Sequence, residues 1–385
     1  MKRIPWLRKE SKRRFLATRR LSSSTPTKPS LTSFSFSGAG FLGAYHAGVY
    51  QCLLKHNHVL KPLERLEPDA KSPVLTGVSA GALISAAISA GVTPESAMNV
   101  ILEVANRTRE KGGLLDTLAP NFSLIDQLDD LLEVEMQKAL GGSENDNDYD
   151  LDLLLNRIQH GKLLHIGLTD KKKFDVLNLK TDLDAYVYAD QYRSIKDITS
   201  CAVLSSYIPV GTGPAIWNDA NSGNNAVKNA WKIVSEMEEL GFLKHGMTRE
   251  TIRRDVTSDD ETSEKDLQYL DGGLCNLFPE IDEDTIIIAP INGIYSKPCI
   301  TPEIPMDDDE KTLYSSILSR IKVDFPITLE MSEGIRVGAN TENLLALYQM
   351  ARSSSSETLQ GKFRDGYDDA TRFLKKNDML TVFSG

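Results

Sequence analysis

"TGVSAGALISAAISAGV", residues 76–92, is charge-free and almost wholly apolar. Two readings of it exclude each other. Gly77 and Gly81 sit four apart in an apolar 19-residue window (74–92), the spacing of a transmembrane helix with a packing face. The same residues, Gly77-Val78-Ser79-Ala80-Gly81, spell G-x-S-x-G, a strand-to-helix elbow that presents a serine.

Residue content argues against a span. Of the 19 residues, twelve are Gly, Ala, Ser or Thr, and only seven are Val, Leu or Ile. Such a mixture adds little insertion energy. Pro73 and Pro94 bracket the run, and no Trp or Tyr stands at either end. Small residues suit close packing against a sheet instead. Val74-Leu75-Thr76 reads as a buried strand and the Ala/Leu/Ile run as a helix, the order an elbow requires. Gly77 and Gly81 flank the serine because a Cβ at either position would clash in so sharp a turn. No transmembrane helix is therefore expected.

A nucleophilic serine needs an oxyanion hole and a base. Upstream, "SFSGAGFLGAYHAG" (35–48) carries a short strand into Ser37-Gly38-Ala39-Gly40 and then a helix, leaving turn amides to face a developing oxyanion. A phosphate loop is the competing reading. The turn lacks the Walker lysine, and its dinucleotide-type spacing (Gly38, Gly40, Gly43) has no clear acidic ribose ligand about 20 residues on. For the base, all six histidines (46, 56, 58, 160, 165 and 245) precede residue 246. None carries a local signature, and His46 and Tyr45 read as packing residues of the helix after the loop. "YLDGGLCNLFP" (269–279) offers Asp271 at the end of an apolar strand, before Gly272 and Gly273. A carboxylate at its usual pKa of about 3.9 is a poor base and needs apolar surroundings. Tyr269, Leu270, Leu274 and Phe278 supply them. On these residues alone, Asp271 reads equally as a turn residue.

The 385-residue chain has ordinary globular composition, with 41% hydrophobic and 25% charged residues. Its net charge of −10 is uneven: residues 1–30 carry ten Lys/Arg against Glu10, leaving 34 basic and 53 acidic residues in the remainder. An acidic body argues against nucleic acid as a partner. The Arg- and Ser-rich leader, ending in "RRLSSST" (19–25), has the composition of a mitochondrial or plastid transit peptide, or of a basic tail on anionic lipid. It has no secretory apolar region, so an intracellular protein is expected. Cys52, Cys201, Cys275 and Cys299 are scattered, which fits buried thiols in a reducing compartment and gives no metal site.

Candidate strands at 33–36, 73–76, 163–168 and 285–290 alternate with helical stretches at 41–56, 79–91, 94–110 and 123–140, which argues an α/β fold with a mostly parallel sheet. In the last helix Ser123 and Asp126 form a capping box, and Leu124, Leu128, Leu131 and Leu132 make a stripe. That stripe reads first as core packing and second as a cover for an apolar groove. Residues 141–150 and 305–311 read as exposed loops. The segment 219–266 reads as a polar insertion with one helix at about 226–243, followed by a disordered "DVTSDDETSEKD" (255–266). Residues 301–385 read as a helical extension.

"SFSFSGAGFLGAYHAGV" (33–49), "GVSAGAL" (77–83), "SSYIPVGTGP" (205–214), "YLDGGLCNLFP" (269–279) and "FRDGYDDATRFLKKNDML" (363–380) together resemble the patatin-like phospholipase family, most closely its adiponutrin and adipose triglyceride lipase branch. The resemblance implies a three-layer α/β/α sandwich over 31–300 and a hydrolase of glycerolipid acyl esters without metal or cofactor. Ser79 would be the nucleophile, Asp271 the base, and the amides of Gly38, Ala39 and Gly40 the oxyanion hole. Lipid at a membrane or droplet surface would be the partner, and no motif specifies a protein co-activator. A transacylase or a catalytically silent lipid binder would carry the same motifs. Where plant and bacterial members have a third glycine and a basic residue, Ala39 and Leu42 stand here. The insertion lengthens the path from Ser79 to Asp271.

Overall fold

The elbow reading requires a strand, a turn and a helix within residues 74–90, and the chain folds that way. The computed structural model describes residues 33–59, 73–111, 123–141, 164–171, 185–209, 212, 225–245, 269–303, 328–332, 335–338 and 340–380. The leader, residues 142–150, 304–311 and 255–266 lie outside them. Strand β1 (Ser33–Phe36) is followed by a 3₁₀ turn (Gly40–Leu42) and helix α1 (Gly43–Lys55). Then come β2 (Val74–Gly77), α2 (Ala80–Ala90), α3 (Pro94–Lys111) and α4 (Leu124–Ala139). The apolar run is thus the end of a strand and an eleven-residue helix. Among the described residues, no helix is long and apolar enough to cross a membrane.

The hydroxyls of that helix are satisfied locally: Ser85 donates to the Thr76 carbonyl and Ser89 to that of Ala86. Helix α2 stops at Gly91, whose left-handed backbone (φ 79°) lets the Gly91 and Val92 amides bond to Ile88 and Ala87.

The remaining elements are β3 (Leu164–Asp170), β4 (Tyr186–Ala189), α5 (Ile195–Leu204), α6 (Asn225–Glu239), β5 (Leu243–His245), β6 (Tyr269–Asp271), β7 (Ile286–Ile288), β8 (Gly293–Tyr295), β9 (Cys299–Ile300), β10 (Thr328–Ser332), β11 (Ile335–Gly338), α7 (Thr341–Ala351) and α8 (Ser356–Lys376). The main sheet runs in the order β5-β4-β3-β2-β1-β7-β9. Its centre is parallel, from β3 through β2, β1 and β7 to β9. Strands β4 and β5 add an antiparallel edge. Strand β1 is buried on both faces, as a central parallel strand covered by helices must be. Helices around this mostly parallel sheet give the three-layer α/β/α architecture.

Two expectations need correction. The segment read as an insertion is partly built into the core. Helix α6 ends at Glu239 rather than near 243, and Leu243–His245 pairs with β4 as an edge strand. Trp231 of α6 donates from its indole to the Tyr269 carbonyl, so this helix supports β6. The C-terminal part is not wholly helical either, since β10 and β11 form a small antiparallel sheet with β8. Each strand is too short for its alternation to stand out.

Helix α8 lies on α1 with backbones in contact. A Cβ added at Gly48 would lie 1.9 Å from the Phe363 carbonyl oxygen, and one at Gly366 2.1 Å from that of Tyr45. The buried Tyr45 hydroxyl, 2.8 Å from Asp369 Oδ2, ties the same crossing. Replacing Gly366 by leucine should therefore force the helices apart and cost at least about 1–3 kcal/mol in urea unfolding. An unchanged midpoint would show that the crossing is not close-packed.

Candidate active site

Strand β3 brings the two ends of the site together. Strand β2 runs parallel to β3 and ends with Gly77 opposite Ile166. Strand β6 runs antiparallel to β3 and ends with Asp271 opposite Leu168. Both occupy the edge of β3 that β4 leaves free, so they meet head to head. Ser79 and Asp271 stand at that junction although far apart in sequence.

At Ser79 the backbone adopts φ 54° and ψ −132°, a strained conformation for a residue with a Cβ. Packing enforces it. A Cβ at Gly77 would meet the Gly81 carbonyl at 2.3 Å, and one at Gly81 would meet the Phe36 carbonyl at 2.1 Å. The turn is thus pressed against the end of β1, where the next part of the site begins. Ser37 bonds to the Ile288 carbonyl, and Gly38 lies so near that its added Cβ would be 3.5 Å from Ser79 Cβ. Gly40 has φ 51° and abuts the Met350 carbonyl of α7.

The three turn residues are not equivalent. The Gly38 N–H makes a long 3.4 Å contact with the Leu277 carbonyl. The amides of Ala39 and Gly40 have no acceptor among the described residues. Gly43 begins α1 with Ala80 as its nearest neighbour, so the turn faces the serine elbow.

Asp271 is 3% exposed. Its Oδ1 accepts from the Gly273 N–H at 2.7 Å, and its carbonyl accepts from Thr169 Oγ1 at 2.7 Å. Gly272 cannot carry a side chain, since a Cβ there would lie 2.3 Å from the Gly167 carbonyl. Burial pushes the carboxyl up to about 7, while hydrogen bonds from the Ser79 side chain and the Gly273 amide favour the ionised form. A carboxylate in this range can take a proton near neutrality.

Ser205, at the end of α5, was not assigned a role from the sequence. Its hydroxyl accepts from the Ser79 N–H at 2.9 Å and donates to the Gly167 carbonyl at 2.6 Å, while its own carbonyl accepts from Gly272 N–H at 3.3 Å. One buried serine thus pins the elbow, β3 and the turn after Asp271. Only its place in the "SSYIPVGTGP" segment marked it.

Ser79 and Asp271 open into a cavity of about 440 Å³. Its walls are apolar: Leu83 and Ile84 of α2, Val100 and Ile101 of α3, and Leu128 and Leu132 of α4. The α4 stripe does both things considered for it, since Leu132 also belongs to the buried core. Helix α7, read from sequence only as part of a helical extension, supplies Leu347, Met350 and Ala351. None of the described histidines lines the cavity, and His160 lies outside the described residues. His46 is fully buried beside Phe36 and Tyr45, and burial holds its imidazole down to about 3. No cluster of three or more metal-ligating side chains occurs among the described residues. Cys52, Cys201 and Cys275 are buried free thiols, and Cys299 is half-buried.

Two measurements follow from this geometry. Ser205→Ala should lower unfolding stability by about 1–3 kcal/mol, because it leaves the part-buried Ser79 amide and the buried Gly167 carbonyl without this partner; an unchanged value would mean that water replaces the hydroxyl. The Asp271 carboxyl has a higher pKa folded than the usual unfolded value of about 3.9, so its contribution is complete below pH ~4 and lost as pH rises through about 7. Asp271→Asn should therefore melt above wild type at pH ~8 and converge with it near pH ~4, and a pH-independent difference would refute the burial argument.

The model of the family described as patatin-like phospholipase matches residues 34–282. Patatin-like phospholipase domain-containing protein 2 of Bos taurus is 21% identical over 358 residues, which cover 92% of this chain and 52% of that protein. The human 1-acylglycerol-3-phosphate O-acyltransferase PNPLA3 is 34% identical over 93 residues, 24% of this chain and 17% of that one. The solved structure of VipD from Legionella pneumophila aligns at TM-score 0.37 and 12% identity over 90% of this chain and 67% of that one. The chain spans about half the length of the protein 2 relatives it matches. With the family model covering well over half of its length, the chain belongs to the patatin-like phospholipase family.

Proposed function

We propose that the protein is a lipid acyl hydrolase that cleaves fatty-acyl esters of glycerolipids through a Ser79–Asp271 dyad, without a cofactor. The observation that carries this reading is a buried carboxyl near pKa 7, hydrogen-bonded to a strained serine at the head of an apolar cavity. An acyl chain lies along the walls formed by α2, α3 and α4, which places its ester carbonyl at Ser79.

Asp271 takes the hydroxyl proton as Ser79 Oγ bonds to the carbonyl carbon, and the carbonyl electron pair moves onto oxygen. The amides of Ala39 and Gly40, with that of Gly38 if it leaves Leu277, hold this oxyanion. As the C–O bond to the glycerol side breaks, Asp271 returns the proton to the leaving oxygen. Water then attacks the acyl-serine, Asp271 takes its proton, and the fatty acid leaves while Ser79 is reprotonated.

A second reading keeps the first half-reaction and replaces water by an acceptor alcohol. The acyltransferase among the relatives supports keeping it in view. The two are separated by adding 1-acylglycerol-3-phosphate and scoring acyl transfer against free fatty acid.

The test is hydrolysis of long-chain triacylglycerol and phosphatidylcholine by wild type and two variants. Ser79→Ala should lose about 10³-fold or more, and Asp271→Asn about 10²–10⁴-fold. Full activity in Asp271→Asn would sink the role given to that residue. A wild type that binds lipid but neither hydrolyses nor transfers would leave a catalytically silent binder. The ratio of the two wild-type rates identifies the preferred lipid.

A further inference from the structure

Helix α7 is amphipathic in the inverted sense. Its inward arc carries Asn343, Ala346 and Met350, and Asn343 is 3% exposed. That asparagine receives the Asn292 N–H and donates to the Asn292 carbonyl, at 2.9 and 2.8 Å. Asn340 caps the helix through the Asn343 amide and donates to the Asn292 side chain. Polar groups therefore anchor the helix, and its leucines point to solvent. Leu344 is 58% exposed, Leu345 54%, Leu347 52% and Tyr348 53%. At 100° per residue these four share one face, and no charged residue stands between Glu342 and Arg352. A contiguous exposed apolar face of this kind marks an interaction site.

Its position says what the face meets. Leu347 is at once part of that face and part of the wall of the cavity that holds Ser79. Ile208, 38% exposed, also reaches both cavity and solvent. The apolar exterior is thus continuous with the apolar interior. Tyr348 adds an aromatic ring with a polar tip, and the Arg352 guanidinium lies 5.7 Å from its centre and bonds its hydroxyl. Leucines with a tyrosine suit a helix lying in a lipid–water interface.

We propose that α7 is an interfacial docking helix, which seats the cavity mouth on an uncharged phospholipid surface so that an acyl ester passes from the lipid layer along Leu347 to Ser79. This proposal rests on the acyl-cavity reading above. The face itself carries no basic cluster and the chain is acidic overall, so attraction is apolar rather than electrostatic.

The test is flotation of the full chain with triolein droplets coated in phosphatidylcholine, at low and high salt, beside turnover of a water-soluble short-chain ester. Wild type and Ser79→Ala should float equally, with little salt dependence. Leu344→Gln/Leu345→Gln should partition at least about tenfold less while keeping short-ester turnover, because neither side chain lines the cavity. Should the double variant fail to fold by circular dichroism, each single change is expected to weaken flotation in the same direction. Flotation equal to wild type in the folded variants overturns the proposal, as does a wild type that stays in the aqueous phase. A wild-type dimer that the double variant converts to monomer, without flotation, assigns the face to a second copy and overturns it too. Flotation by a wild type that turns over no ester leaves docking standing and sinks only the hydrolase reading.

Discussion

The close approach of Gly81 to the Phe36 carbonyl is the contact on which the site depends. It presses the turn after β2 against the end of β1, and that contact holds Ser79 in a backbone conformation unfavourable for a side-chain-bearing residue. Strain of this kind persists only where surroundings over-determine it. Here Ser205 supplies the second constraint by accepting the Ser79 amide and reaching the Gly167 carbonyl. The serine is thereby fixed relative to the turn amides and to β3 before any ligand arrives, so the proposed reaction would need little reorganisation.

The second constraint is dielectric. Asp271 is buried at the end of a short strand, and removal from water raises its pKa to about 7. A carboxylate left in solvent would hold its proton too weakly to serve as a base. Under the proposed mechanism, burial does for the aspartate what an imidazole does elsewhere by its own chemistry. His46, buried beside Phe36 on the helix after the turn, is made a weak base by the same effect, and it does not line the cavity.

Much of this was legible in the sequence because the signals are local. Glycines flanking Ser79, glycines at 38, 40 and 43, and Asp271 before paired glycines each follow from what a sharp turn permits. Strands β1, β2, β3 and β7 and the first four helices were placed within a few residues for the same reason. What escaped depends on distant pairing. The head-to-head meeting of β2 and β6 on β3 leaves no local trace, nor does the Ser205 hydroxyl 126 residues beyond the elbow. Helix α6 announces itself by Val227, Ala230, Val234 and Met237, all buried at helical spacing, but the three-residue β5 merged with it. Helix α7 was read as part of a helical extension; its place over the cavity mouth is set by Asn343 and Asn292, which sequence does not pair.

The central claim is that a buried aspartate controls the reactivity of Ser79. The most direct measurement is the rate at which a fluorophosphonate labels Ser79, read by peptide mass spectrometry across pH, in wild type and Asp271→Asn. The wild-type rate should rise through a single inflection near 7, and the variant should label far more slowly without that inflection. A wild type that labels as fast at pH ~5 as at pH ~8, or a variant that retains the wild-type rate and inflection, would contradict the account.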